Sequence, residues 1–241
     1  MVIFVIKMKK GGSMKTKSIW GKPPTRLYNL IRLAEQEFPN GFSTCIVGCS
    51  DGKFVFPFAR KGHHVTGYEV DKNALYGGIK KFPVRESKNG EITIQERNVQ
   101  SIHDRICKEN LIRLINIEER DFYKNVPNKE FEVVFTSCSL HYTINSGMTL
   151  EEKTKKLQTI VAIKGYLYID YMMAIEDADF EHFPKNKFYR TGEFIQYFDS
   201  KQWRVVSYRE NKKPTLEPAH VECPFDHYHR FGYICMQRIK G

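Results

Sequence analysis

The sequence contains no apolar run of the roughly 18 residues that a membrane-spanning helix needs. Its first eight residues are mostly apolar, but most of the nearby lysines follow them, which reverses the order of a secretory signal. We therefore expect a cytoplasmic protein that makes no contact with a membrane. We interpret residues 1–20 as a flexible leader and residues 21–241 as a single domain.

Cysteine and histidine do not have the spacing of a metal site. The six cysteines are scattered, and no two of them have the CxxC spacing of zinc or redox sites. His227 and His229 would point to one face of a strand, but no third ligand stands at a matching spacing. The sequence therefore predicts reduced thiols and no bound metal ion.

Acidic residues are outnumbered by basic ones. The chain of 241 residues has 38 Lys and Arg against 28 Asp and Glu, which gives a formal net charge of +10. This charge suits a nucleic-acid binder, but it also suits a protein with an anionic small-molecule substrate. Because the basic residues are spread along the chain, nucleic acid stays open as the less favoured partner.

Apolar periodicity alternates between strand and helix along most of the chain. This alternation predicts a parallel sheet with helices on both faces. The order changes at the end, where strands over 204–210 and 231–239 are joined by a loop without a helix. The predicted fold is therefore a Rossmann-like, doubly wound, mostly parallel seven-stranded sheet with an antiparallel C-terminal strand.

Three segments carry more local predictions. Residues 82–110 begin with a polar, turn-rich stretch and a hairpin signal at Asn89–Gly90, and we interpret them as an insertion. Residues 191–203 are predicted to form a helix. Thr149 and Glu152 have the spacing of a capping box at the start of another helix.

The stretch from residue 43 to residue 75 has the order strand, glycine turn, helix, strand. The turn lacks the third glycine of a dinucleotide fingerprint. In an open α/β sheet such a turn lies where ligands bind, and glycine lets the backbone approach a ligand closely. We expect the whole turn to contact a ligand, namely Gly48, Cys49, Ser50, Asp51 and Gly52.

Glu69 ends the strand that follows this turn, 17 residues after Gly52. A carboxylate at this position can accept hydrogen bonds from both hydroxyls of a ribose, and Val70 next to it would also contact the ligand. Loss of the carboxylate should weaken ligand binding by about 2–3 kcal/mol. Since the residue is predicted at a strand end, stability without ligand should change little.

The glycine turn resembles motif I of the class I S-adenosylmethionine-dependent methyltransferases. Ile46 stands where that motif usually has an acidic residue, and Ser50 replaces its middle glycine. The stretch GHHVTGYEVDKNAL is similar to the tellurite-resistance methyltransferases, which share a comparable Asp-Lys-Asn-Ala run. The resemblance extends from about residue 23 to the end of the chain, apart from 82–110.

This resemblance implies S-adenosylmethionine as the cofactor. It also implies that Asp121 and Phe122 bind the adenine, and that Ser137 lies near the sulfonium. His141, close to the same place, is the candidate base because its side chain titrates near neutral pH. A packed histidine at a strand end is the alternative for this residue.

We therefore expect a methyltransferase that transfers a methyl group to a small-molecule acceptor, which its basic charge allows to be anionic. Two alternatives remain open at this point: a nucleic-acid methyltransferase, and a cofactor-binding partner subunit without catalytic activity. The acceptor atom and the oligomeric state are open as well.

Overall fold

The computed structural model describes residues 15–85, 92–141, 147–176, 188–217 and 227–240. Its helices are α1 (Thr25–Glu37), α2 (Val55–Ala59), α3 (Lys72–Tyr76), α4 (Ile102–Lys108) and α5 (Leu150–Gln158), with a 3-10 helix at Phe194–Tyr197. Its strands are β1 (Ser43–Val47), β2 (His64–Glu69), β3 (Gly78–Arg85), β4 (Ile92–Val99), β5 (Ile115–Glu119), β6 (Phe131–Ser137), β7 (Val161–Ala174), β8 (Tyr189–Arg190), β9 (Trp203–Glu210), β10 (Thr215–Glu217) and β11 (His227–Arg238).

Local sequence explains where several helices begin. The Asp71 side chain accepts a hydrogen bond from the Asn73 backbone and caps α3. Thr149 and Glu152 form both bonds of the predicted capping box before α5. Pro57 lies in the first turn of α2, where proline is tolerated. In the part of the chain that the structure describes, no helix is long and apolar enough to cross a membrane.

The central sheet confirms the predicted fold. Its main strand order is β10-β11-β7-β6-β1-β2-β5, with β8 beside β7 and β9 beside β11. The five strands β5, β2, β1, β6 and β7 run parallel, while β11 is antiparallel to both β7 and β9. The strand order reverses between β1 and β6, so the carboxyl ends of these strands mark the topological switch point.

Helices cover both faces of the sheet, as predicted. Side chains alternate along β1, so that Cys45 belongs to one core cluster and Ile46 to the other. The first cluster contains Leu157 of α5 and the 3-10 helix. The second contains residues of α1, α2 and α4, such as Leu30. The strand β1, which leads into the glycine turn, therefore lies between two packed layers.

The strands β3 and β4 form an antiparallel hairpin that pairs with no strand of the central sheet. The predicted turn at Asn89–Gly90 lies outside the described residues. The predicted boundaries of the insertion, 82–110, and of the leader, 1–20, stay predictions. Helix α4, within the range of the predicted insertion, packs Ile102 and Ile106 into the core.

The predicted helix over 191–203 is wrong. Only a 3-10 turn forms there, at Phe194–Tyr197. The helical conformation ends at Phe198, which is extended with φ −112° and ψ 121°, and the Asp199 carboxylate then accepts the N–H of Lys201 at 2.9 Å. Local hydrogen bonds of this kind favour a turn, and the chain enters β9 directly.

Gly67 in the middle of β2 makes room for the turn that follows β1. A Cβ atom at this position would lie 2.8 Å from the Cys49 Sγ atom and 2.8 Å from the Ile117 Cδ1 atom. Cys49 is buried in the second core cluster and Ile117 packs against that cluster, so an added methyl group would crowd both side chains.

We expect Gly67→Ala to lower the free energy of unfolding by about 1–3 kcal/mol, because the added methyl group overpacks the core. Urea unfolding of this variant, of Cys49→Ala and of the double variant gives a mutant cycle. The double variant should recover part of the loss, since the sulfur is gone. A Gly67→Ala protein that unfolds at the wild-type urea concentration would contradict the close contact.

Candidate functional site

A cavity of about 530 Å³ opens at the carboxyl ends of β1, β2, β5 and β6. This is the switch point of the sheet, where ligands bind in open α/β folds. The cavity brings eight of the ten predicted cofactor-binding residues together, and their contact with a cofactor stays a prediction. These eight residues are Gly48, Cys49, Ser50, Glu69, Val70, Asp121, Phe122 and Ser137.

The glycine turn keeps its backbone open toward the cavity. Gly48 has a φ of 69° and Gly52 a φ of 90°, values that L side chains rarely adopt. A Cβ atom on Gly48 would lie 2.9 Å from the Cβ of Ser139, so a side chain would collide there. The backbone N–H groups of Gly48 and Cys49 both donate to the carbonyl of Tyr68, which ties the turn to β2.

The Glu69 carboxylate joins the end of β2 to the same turn. Its Oε2 atom accepts the backbone N–H of Ser50 at 2.5 Å. Its Oε1 atom accepts the N–H groups of Val70 at 2.8 Å and of Asp71 at 2.9 Å. A carboxylate has about four acceptor positions, so the remaining one lies on Oε2. This position could take a ligand hydroxyl.

Asp51 and Gly52, the other two predicted residues, do not line the cavity. Asp51 is 2% exposed, and its carboxylate accepts the Ser18 hydroxyl at 2.7 Å and the Ile19 N–H at 2.8 Å. The guanidinium of Arg105 lies 3.4 Å from the same carboxylate. The acidic side chain of the turn thus faces the segment before α1, which the sequence had given no reason to place here.

The residues after β5 form the wall opposite the glycine turn. Asp121 accepts the N–H of Tyr123 at 3.0 Å, which holds the loop in a tight turn. Phe122 is buried, with its ring centroid 5.5 Å from that of Tyr68. An apolar ring beside a carboxylate is compatible with the predicted adenine site.

The third wall follows β6, and its Ser137 contacts Asp170 of β7, a buried acid that sequence reasoning missed. Ser137 donates its hydroxyl to Asp170 at 2.9 Å, and Tyr168 donates to the same carboxylate at 3.0 Å. Arg26 of α1 lies 3.1 Å from Asp170 and compensates its charge. Burial, and then the charge of Asp170, raise the pKa of Tyr168. A lone acid within the aromatic strand β7 was the available signal.

His141 is not among the residues that line the cavity. It is half-buried and directly precedes residues 142–146, which lie outside the described residues. Cys138 and Ser139 line the wall at this end instead. The role of His141 as a base stays a prediction. Among the described residues, no three side chains of metal-ligating type come together.

The geometry of Glu69 changes what we expect of its variants. The residue is 8% exposed and satisfies three backbone donors, so it stabilises the fold even without ligand. Glu69→Gln should lower the free energy of unfolding by about 1–3 kcal/mol, because an amide cannot accept all three bonds. Chemical denaturation of the ligand-free protein measures this.

The matched control is Glu96→Gln, an exposed acid on the β3–β4 hairpin. We expect this variant to change stability by no more than about 0.5 kcal/mol. Equal stability of Glu69→Gln and the wild type would show that these three bonds contribute nothing to folding. It would agree with the expectation from sequence that stability without ligand changes little.

Known proteins resemble this chain in three-dimensional structure. No protein-family model matches the chain, and a search of curated proteins finds no match. TehB from Haemophilus influenzae superposes with a TM-score of 0.62 at 13% identity, covering 90% of this chain. This chain spans 62% of the length of that TehB chain.

Two further structures have the same architecture. The N-methyltransferase NodS from Bradyrhizobium japonicum WM9, in complex with S-adenosyl-L-homocysteine, has a TM-score of 0.51 at 12% identity and covers 90% of this chain and 87% of its own. The [4+2]-cyclase SpnF has a TM-score of 0.56 at 10% identity, with 88% and 82% covered. The chain therefore has the Rossmann-like fold of class I methyltransferases, as its sequence predicts.

Proposed function

We propose that this protein is an S-adenosylmethionine-dependent methyltransferase that acts on a small molecule. The observation that carries the proposal is the cavity at the switch point, which combines the glycine turn with Glu69 and Asp121. NodS, which shares the fold, binds S-adenosyl-L-homocysteine in its structure. The described cysteines form no disulfide, which supports the cytoplasm as the location.

The residues present fit this cofactor. Gly48, Cys49 and Ser50 bring the backbone of the glycine turn to the cavity wall, and the Glu69 Oε2 atom retains one acceptor position for a hydroxyl. Asp121 and Phe122 would hold the adenine on the opposite wall. When bound, S-adenosylmethionine supplies a sulfonium methyl group for in-line displacement, a reaction in which positioning provides much of the rate.

The acceptor would bind beside Ser137, Cys138 and Ser139, and Lys53 supports a negative charge on it. Lys53 lines the cavity at the start of the segment after the glycine turn. The other cavity cations have acidic partners: Lys80 lies 2.9 Å from Asp71, and Arg120 lies close to Glu118.

Lys53 makes no ion pair with any acidic side chain in the described ranges. Burial, and then the nearby charge of Arg26, lower its pKa. An anion in the cavity would offset both effects, because it would compensate a poorly solvated positive charge. We infer that the acceptor carries an anionic group near this lysine.

Binding of the cofactor can be tested directly. S-adenosyl-L-homocysteine at a hundredfold excess over its Kd should raise the free energy of unfolding by about 2.7 kcal/mol. Isothermal calorimetry measures the Kd, and thermal unfolding measures the gain in stability. NAD is the control, which should neither bind nor stabilise the protein. A thermal shift with NAD alone would exclude an S-adenosyl ligand as the natural occupant.

Methyl transfer is tested with methyl-labelled S-adenosylmethionine and a cell extract separated into small molecules, RNA and DNA. We expect label in an anionic small molecule, identified by mass spectrometry. Lys53→Met should reduce this transfer by about tenfold or more, because it removes the compensating charge. Lys201→Met, an exposed lysine outside the cavity, is the matched control and should transfer label normally.

Other outcomes of the same assay would favour other functions. Label in RNA or DNA would show that the acceptor is a nucleic acid and not a small molecule. The net charge of +10 is the observation that favours this alternative. Tight binding without any transfer would favour a non-methylating role. The likeness to the cyclase SpnF is the specific observation behind that candidate, since the shared fold does not determine the reaction.

A further inference from the structure

Residues 16–20, which we call the N-terminal strap, are attached to the back of the glycine turn. The first attachment is Asp51, which accepts the Ser18 hydroxyl and the Ile19 N–H. Arg105 donates to the Asp51 carbonyl and is itself 2% exposed. A buried carboxylate is costly without hydrogen-bond partners, and the strap supplies two of them to Asp51.

The second attachment is Glu109, which follows α4. Its carboxylate accepts the Thr16 N–H at 2.7 Å and the Thr16 hydroxyl at 2.6 Å. Arg60 donates to both oxygens of the same carboxylate at 2.7 Å, and Arg105 donates to the Thr16 hydroxyl at 2.8 Å. Burial alone would raise the pKa of Glu109, but hydrogen bonds from Arg60 and Thr16 outweigh it and lower this pKa.

These attachments place Trp20, at the end of the strap, on the wall of the cavity. Its indole N–H donates to the Ser50 hydroxyl at 2.9 Å. The Lys80 ammonium, on β3, lies 5.1 Å from the indole centroid and pairs with Asp71. The indole is thus held between the glycine turn and the β3–β4 hairpin.

Ser50 connects Trp20 to the predicted ribose site. Its backbone N–H donates to the Glu69 carboxylate, while its side chain accepts the indole N–H. Ser50 alone therefore links the indole of Trp20 to Glu69, the acid that would bind the ribose. An indole offers a large, rigid surface for covering a nucleoside at low entropic cost.

We propose that Trp20 is a ligand-binding residue that packs on the nucleoside part of the bound S-adenosyl compound, with the strap as its positioning element. This inference rests on the proposed function for the identity of the ligand. It adds a fourth wall to the cavity from residues that precede the methyltransferase domain as the sequence predicts it.

Tryptophan fluorescence reports on this contact because the chain has only two tryptophans. Trp203 is 5% exposed and packs against Phe198 in the first core cluster, away from the cavity. S-adenosyl-L-homocysteine should shift the wild-type emission to shorter wavelength and reduce acrylamide quenching, as the indole of Trp20 loses water. In Trp20→Phe, where only Trp203 emits, the same titration should produce no change.

Affinity provides a second measurement. Trp20→Ala should raise the Kd of S-adenosyl-L-homocysteine about tenfold, and Trp20→Phe less, because it keeps part of the ring surface. Methylthioadenosine, which contains the nucleoside without the amino acid, should lose affinity in Trp20→Ala by the same factor. Tyr28→Ala is the control, since Tyr28 is a 46% exposed aromatic residue outside the cavity.

The outcomes separate this inference from the proposed function. If the wild type binds neither adenosyl compound, the proposed function fails and this inference fails with it. If the wild type binds both and Trp20→Ala binds equally well, only the role of Trp20 is overturned. A loss confined to S-adenosyl-L-homocysteine would place Trp20 at the amino-acid end and overturn the nucleoside contact.

Discussion

The hydrogen bond from the Ser50 N–H to the Glu69 carboxylate joins the two elements on which the cavity depends. It holds the glycine turn after β1 against the end of β2, across a parallel pair of strands. The same carboxylate closes the turn after β2 through Val70 and Asp71. A residue predicted to bind ligand is therefore also part of the framework, and ligand binding and stability share one side chain.

Behind the turn, a second set of charges, three of them buried, supports it from the opposite side. Asp51, Arg105, Glu109 and Arg60 alternate in sign, and each has a partner within the set or in the strap. Removing one member of such a set leaves an uncompensated buried charge, which is costly. The turn is consequently held on both sides, by Glu69 toward the cavity and by Asp51 toward the strap.

The two ends of the cavity are built from different kinds of structural feature. One end is built from strand termini and the glycine turn, which the fold itself positions, and a methyltransferase and a cyclase share that fold. The other end depends on individual side chains, namely Lys53 and Ser137 on the wall and Asp170, which accepts the Ser137 hydroxyl and pairs with Arg26. The chemistry of this protein is therefore to be sought at the second end.

The sequence by itself determined the alternation of elements, the antiparallel end of the sheet, the capping box at Thr149, and the approach of the glycine turn to Glu69. These features depend on local periodicity, on turn residues and on the rule that parallel strands end at one edge. Only the tertiary structure decided that Asp51 faces away from the cavity and that Trp20 lines it. Trp20 and Ser50 are 30 positions apart and Arg26 and Asp170 are 144 apart, so no local pattern encodes their contacts. Such contacts arise only when packing brings distant segments together and leaves buried polar groups that need partners.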